Sequence, residues 1–138
     1  MPTPSRVTTA VAAALLAGGV AALVAFHRPP FRTAAAVERA IAAEAPVGSD
    51  EARVAAFLRA HGIEHSPSGG DPGAESDFRR NPKLAGKRAR ITRQSVATIR
   101  GVGRDVLTFT EYSLVLHFYF DAAGALVEYT VQEVGTGM

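Results

Sequence analysis

Four histidines, thirteen acids, fifteen bases and no cysteine define the chemistry open to this 138-residue chain. The lack of cysteine excludes disulfides, thiolate metal sites and a thiol nucleophile. His61 and His65 stand four apart, the spacing that places two imidazoles on one helix face for a metal. Gly62 between them is a helix stop, however, and neither Asp71 nor His117 has a spacing that makes it a third ligand. The pair reads as ordinary histidines at a helix end, and no metal or cofactor is expected. Adjacent Asp50 and Glu51 suit a helix start, where the dipole favours negative charge, better than acid-base catalysis. Ser95 and Ser113 fall in strand-like runs outside any Gly-x-Ser-x-Gly elbow. Gly101-x-Gly103 lacks the third glycine and the following helix of a phosphate loop. No catalytic set emerges, and the chain is expected to be non-enzymatic.

Charge is the strongest remaining signal. The formal balance of +2 conceals a division: eight acids lie between Glu38 and Asp77, and nine bases lie between Arg79 and Arg104 with no acid among them. Arg79, Arg80, Lys83, Lys87, Arg88, Arg90 and Arg93 form the dense part of this tract, with Arg100 and Arg104 beyond it. Such a tract either contacts an anionic partner, lipid headgroups being the first candidate, or is neutralised internally by Glu38, Glu44, Asp50 and Glu51. Nucleic acid is the least favoured partner, because Phe78 is the tract's single aromatic platform for stacking bases.

The elements that must position these groups follow from periodicity. Thr33 to Ala45 is built of helix formers, with Thr33 as N-cap and an apolar stripe of Val37, Ala40 and Ile41. After Pro46-Val47-Gly48, Ser49 is placed to cap a second helix, Asp50 to His61, whose stripe is Val54, Phe57, Leu58 and His61 and whose stop is Gly62. Ser66 to about residue 88 carries no sustained period and reads as a long, mobile, basic loop. Strand-like alternation begins at Ile91 and runs through Ser95, Ala97 and Ile99 to a turn or break at Gly101-Val102-Gly103. Tyr112 to Phe120 alternates most cleanly, with Leu114, Leu116, Phe118 and Phe120 assigned to the core and His117 to the mixed face. Asp121-Ala122-Ala123-Gly124 forms a tight turn, and Leu126 to Glu133 returns as a strand with Val127, Tyr129 and Val131 alternating against Glu128, Thr130 and Gln132. Helices first and strands later, without βαβ alternation, predict an α+β domain over 31–138: two helices packed on one face of a three-stranded antiparallel sheet.

Ahead of that domain, Val7 to Phe26 is a run of twenty uncharged residues, about 30 Å long as a helix and sufficient to cross a bilayer's hydrocarbon core. Arg6 precedes it, and Arg28-Pro29-Pro30 closes it. Residues 1–30 therefore read as a signal-anchor or transmembrane segment. Cleavage after Ala25 would put Leu23 at the −3 position, which disfavours a cleaved, secreted form relative to an anchor. Arg28, Arg32 and Arg39 after the segment outnumber Arg6 before it, a distribution that by itself favours a cytoplasmic domain.

The order of parts resembles the SmpA/OmlA (BamE-like) small envelope proteins. The resemblance rests on the helix junction Gly48-Ser49-Asp50-Glu51-Ala52-Arg53-Val54 and on the closing Phe-x-Phe-Asp-x-x-Gly-x-Leu hairpin, Phe118 to Leu126. Similar ααβββ domains occur in β-lactamase-inhibitor-like proteins. Unlike the lipoproteins of the family, this chain has no cysteine to carry a lipid. The resemblance implies an extracytoplasmic bacterial scaffold or binding domain; with residues 7–26 as the anchor, the expectation is a single-pass inner-membrane protein whose periplasmic C-terminal domain contacts another envelope protein. That implied export is set against the positive-residue count. The alternative function is an anion-binding module working through residues 79–104.

Overall fold

The computed structural model describes residues 29–137. Its elements are α1 (Ala34–Glu44), α2 (Glu51–Ala60), β1 (Glu64–His65), α3 (Glu75–Arg80), a 3-10 turn (Arg88–Arg90), β2 (Arg93–Asp105), β3 (Thr110–Phe120) and β4 (Leu126–Thr136). Both long helices form as their sequences dictate. Thr33 Oγ1 accepts from the Ala36 amide at 3.1 Å to cap α1. Gly62, at φ +65°, closes α2 in a Schellman arrangement. Its amide reaches Arg59 O at 3.1 Å, and the next amide, Ile63, reaches Leu58 O at 2.8 Å.

The sheet is antiparallel in the order β1-β2-β3-β4. Four strands therefore replace the three expected. The added strand is two residues, Glu64 and His65, paired with Thr98 and Ala97. A pairing this short is a backbone event and leaves no side-chain period to read. Helices α1 and α2 cover one face, where Val37, Ile41, Val54, Phe57 and Leu58 meet Ala97, Ile99, Leu114, Leu116, Phe118, Phe120 and Leu126.

Two further expectations are corrected within the strands. Gly101-Val102-Gly103 is not a turn: β2 continues through it to Asp105, accommodating it as an irregularity between the Ile99–Leu114 and Gly103–Tyr112 rungs. Gly101 takes φ +69° there, and Val102 packs against the main core. In β4, Leu126 opposes Phe120 while Glu128 opposes Tyr119, so Val127 is the extra residue of a bulge. Val127 therefore lies on the opposite face from Tyr129 and Val131, with which it is in phase in the sequence. It joins Phe78, Leu84, Ile91 and Tyr119 in a second buried cluster on the other face.

That cluster also corrects the long-loop expectation for 66–88. The segment holds α3 and successive turns, including Leu84 N to Asn81 O at 3.0 Å, and it lays Phe78 and Leu84 on the sheet. The domain thus has a partial third layer over one end of the face opposite the helices. Phe78, Leu84 and Ile91 are six and seven residues apart with no large apolar residue between them, so no sustained helix or strand period marks them.

The helix junction and the hairpin turn meet. Gly48 N donates to Leu126 O and Leu126 N donates to Ser49 O, each at 2.8 Å, and Glu51 N donates to Gly124 O at 3.2 Å. Because Ser49 is drawn into this pairing, α2 begins one residue later than expected. Asp50 is its N-cap, with Oδ1 accepting from Arg53 N at 2.7 Å. Ser49 Oγ is buried without a hydrogen-bond partner. Asp50→Ala is expected to destabilise the domain by about 1 kcal/mol, while Ser49→Ala is neutral or stabilising because it removes an unsatisfied hydroxyl. Leu116→Ala, at a fully buried position, is expected to cost about 2–5 kcal/mol. Urea unfolding of the 29–138 fragment measures all three, and an unchanged midpoint for Leu116→Ala contradicts the assignment of faces.

Candidate functional site

The seven bases named from the sequence do not form one open patch. Lys87 Nζ donates to Glu128 Oε2 at 2.7 Å, and Lys83 Nζ lies 3.7 Å from Glu128 Oε1. Lys83 also stands over the Tyr129 ring, 4.1 Å from its centroid. Arg88 donates to Gly73 O and Ile91 O at 3.0 and 3.1 Å and covers the Phe78 ring. Arg93 makes a 2.8 Å ion pair with Glu51. Arg79, Arg80 and Arg90 are exposed. Four of the seven therefore fasten the 71–91 segment or α2 to the sheet, and the tract is largely a structural clamp.

The principal acid of that clamp is Glu128, not one of the four helix acids considered in the sequence. It is almost fully buried, placed on the outer face beside Val127 by the bulge. Burial opposes its ionisation, but the Lys87 hydrogen bond, the Tyr129 amide at 3.1 Å and the positive charges of Lys83 and Lys87 outweigh burial and hold its carboxyl below the ordinary range. In the sequence Glu128 falls in one row with Thr130 and Gln132, alternating against Val127, Tyr129 and Val131. Its signal was the neighbouring pair Val127-Glu128, which only a bulge puts on one face.

Other candidate groups are likewise engaged. His61, at the C-cap of α2, donates its Nε2–H to Glu44 Oε2 at 2.9 Å and lies between the Phe31 and Phe57 rings, 5.0 and 4.8 Å from their centroids. His65 lies in β1, its Nδ1–H donating to Ile63 O at 3.0 Å. The helix-face geometry for a metal is thus absent from this pair. His117 is on the outer face, stacked on Tyr119 at 6.0 Å, and partial burial lowers its pKa. Between α2 and the Ser66–Ser68 stretch runs a groove of about 350 Å³ lined by Glu51, Leu58, His65, Ser68, Ser95 and Phe120 among others. Ser68 Oγ donates to Glu51 Oε2 at 2.8 Å and Ser95 Oγ to Ser66 O at 2.6 Å. The Arg93 contact on Glu51 Oε1 is ionic rather than an aligned hydrogen bond. Among the described residues no serine hydroxyl is hydrogen-bonded to a histidine, so the groove has the geometry of a braced helix start.

Two surface features were not anticipated. β4 is an edge of the sheet, and every residue from Gln132 to Gly137 is exposed. The β2–β3 turn carries Val106, Leu107 and Phe109 at 76%, 92% and 69% exposure. Phe109 holds φ +52°, a left-handed conformation that costs a bulky residue on the order of 1–3 kcal/mol. Asp105 Oδ1 accepts from Leu107 N at 2.9 Å, and the Thr108 and Thr110 hydroxyls meet at 2.8 Å. The available sequence signal was three apolar residues where a turn favours Gly, Asn or Asp.

Set against protein-family models, curated proteins and solved structures, the chain matches none of them. Among the described residues no helix is long and apolar enough to cross a membrane. The Val7–Phe26 run, on which the anchor and cleavage expectations fall, lies outside those residues.

Because the Glu128 carboxyl is depressed, its stabilising contribution is present above the ordinary carboxylate range and is lost as pH falls through its lower folded value. Lys87→Ala should cost on the order of 1 kcal/mol near neutrality, since Lys87 is itself part-exposed. Glu128→Gln should be destabilising at pH 7, with the gap to the parent closing in acid. A gap that stays constant down to the acid transition contradicts the clamp. Chemical denaturation across pH measures it.

Proposed function

We propose that this chain is a membrane-anchored interaction domain: held by residues 7–26 in the inner membrane, with its C-terminal domain on the periplasmic side, it receives a segment of another envelope protein as an added strand on β4. The observation that carries the reading is the open β4 edge. From Val131 to Thr136 it is free of Lys and Pro and carries the single charge of Glu133, and its one bulge lies at the other end of the strand. Natural edges are ordinarily blocked by such devices, and an unblocked one pairs with an extended segment through main-chain hydrogen bonds. The resemblance to SmpA/OmlA proteins supports the envelope setting, and its two motifs are the residues that pair at the helix junction and hairpin turn. Contact, rather than catalysis, is the work assigned to the domain.

A second reading, anion binding, draws on the exposure of Arg80 and Arg90. It is narrower than the full tract, because Lys83, Lys87, Arg88 and Arg93 are engaged within the domain. Replacing tied lysines would confound binding with stability. Arg80→Ala with Arg90→Ala separates the two.

In cells, a photo-cross-linking residue at Gln132 or Val134 is expected to give a discrete adduct, and one at Ala56, exposed on α2, is not. Equal adducts from all three positions, or none from β4, contradict strand addition. The Arg80/Arg90 double variant should keep the adducts. If instead it abolishes salt-sensitive binding of the protein to anionic vesicles while the adducts are absent, the anion reading replaces the first. Alkaline phosphatase fused after Met138 should be active, and an inactive phosphatase with a bright cytoplasm-only fluorescent reporter at the same position reverses the assigned side.

A further inference from the structure

The ends of the domain differ. At one end Gly48, Ser49 and Glu51 pair with Gly124 and Leu126, and Val47 is exposed beside them. α2 starts there and runs toward the other end, because β1, which follows it, enters opposite Thr98 and heads back toward the turn. The corner at His61–Ile63 thus lies near the Ile99–Leu114 rung. Phe31 packs at this corner, its ring 6.4 Å from Phe57 and 5.0 Å from His61. The described chain therefore enters on the end from which the β2–β3 hairpin projects, and Val106, Leu107 and Phe109 crown that projection.

Lengths make the coincidence restrictive. From Phe26, the last residue of the uncharged run, to Phe31 there are five residue steps, at most about 18 Å when fully extended and about 15 Å with Pro29-Pro30 in an extended helix. From Leu114 to Phe109 the hairpin advances five steps, about 17 Å. A domain tethered at Phe31 by so short a connection has its hairpin tip within reach of the surface that the tether leaves.

We infer that the Val106-Leu107-Thr108-Phe109 tip inserts its apolar side chains into the interface of the same bilayer that residues 7–26 cross, giving the domain a second membrane contact and a fixed orientation. The inference rests on the proposed anchor and adds the surface that meets the lipid. A loop that places three large apolar side chains in water has no packing reason to do so among the described residues, whereas insertion to headgroup depth buries them. Arg100 and Arg104, exposed on β2 below the tip, are placed to meet lipid phosphates. Asp105 is bonded to the Leu107 amide within the turn, and Glu111 is exposed one rung back, at the depth of the polar headgroups. The two hydrogen bonds of the turn hold the tip in this conformation before contact, against the strain at Phe109, so little ordering is needed on insertion.

The chain contains no tryptophan, so single tryptophans report depth without background. Full-length protein carrying Leu107→Trp, Val47→Trp or Leu16→Trp is reconstituted in vesicles with and without phospholipids brominated on their acyl chains. Leu107→Trp emission is expected to fall at least about twofold with brominated lipid and to be blue-shifted. Val47→Trp, the matched exposed apolar site at the opposite end, should be unaffected. Adding Val106→Ser and Phe109→Ser to Leu107→Trp should reverse the quenching. Quenching of Leu16→Trp without quenching of Leu107→Trp overturns the inference and leaves the anchor standing. No quenching at Leu16 overturns the anchor and the inference together. A blue-shifted but unquenched Leu107→Trp places the tip against protein and overturns it, as does equal quenching at Val47.

Discussion

The pairing of the α1–α2 junction with the β3–β4 turn is the contact on which the rest of this domain is built. Residues 48–51 and 124–126 are distant in sequence, yet their backbones exchange three hydrogen bonds and fix where α2 starts and how it lies on the sheet. Turn chemistry makes this possible. Asp121 Oδ1 accepts from Ala123 N and Ala125 N at 2.9 Å each, and Gly124 takes φ +82°. A Cβ at Gly124 would come within 3.6–3.9 Å of Arg93 and Glu51, the ion pair that joins β2 to the first turn of α2. One corner thus joins the helix layer, the hairpin and β2, and the apolar stripes of α1 and α2 are laid on the sheet as a consequence.

The outer face is organised by a second, weaker principle. A single bulge delivers Val127 to an apolar cluster and Glu128 to two lysines, so the same backbone irregularity provides both the greasy and the charged halves of the attachment of 71–91. Phe78 meets Tyr119 edge-on at 5.3 Å, and Arg88 covers its other surroundings while bonding to Gly73 and Ile91. A segment with little regular structure is held by these contacts and by the backbone turns that run through it. The carboxylate of Glu128 would be costly so deeply placed without its lysines. The clamp is therefore strongest where acid and base are both ionised.

What was legible in the sequence is what repeats locally. The α1 and α2 stripes, the Thr33 cap, the Gly62 stop and the Leu114–Phe120 alternation are short-range patterns, and each appears in the structure where periodicity placed it. The failures share a different cause. β1 is two residues of backbone pairing, the Gly101–Gly103 stretch reads as punctuation but is absorbed into a strand, and the Val127 bulge reverses faces without any compositional trace. The N-cap moved from Ser49 to Asp50 because a partner strand took Ser49, which is tertiary context overriding a correct local preference. Of the candidate site, the positions of the bases were legible. Their pairing with Glu128 and Asp71 across 41 and 17 residues of chain was not.

Charge segregation in this chain is therefore in part a folding device, and that changes where an interaction surface should be sought. A basic run written beside an acidic one invites a reading of anionic partners, yet Lys83, Lys87, Arg88 and Arg93 each find an acid, a carbonyl or a ring within the domain. Besides exposed arginines such as Arg80, Arg90, Arg100 and Arg104, two features of other kinds face outward: the main-chain edge of β4, whose capacity to pair does not depend on side-chain identity, and an apolar turn that the fold holds in strained register. Neither registers in net charge or in hydrophobic periodicity. The two lie side by side, because Glu111 pairs with Thr136 and Thr110 begins β3 at the tip. A domain oriented through its tip would hold the β4 edge close to the membrane surface. A strand added there would then come from a partner segment that itself emerges from, or lies on, the same bilayer.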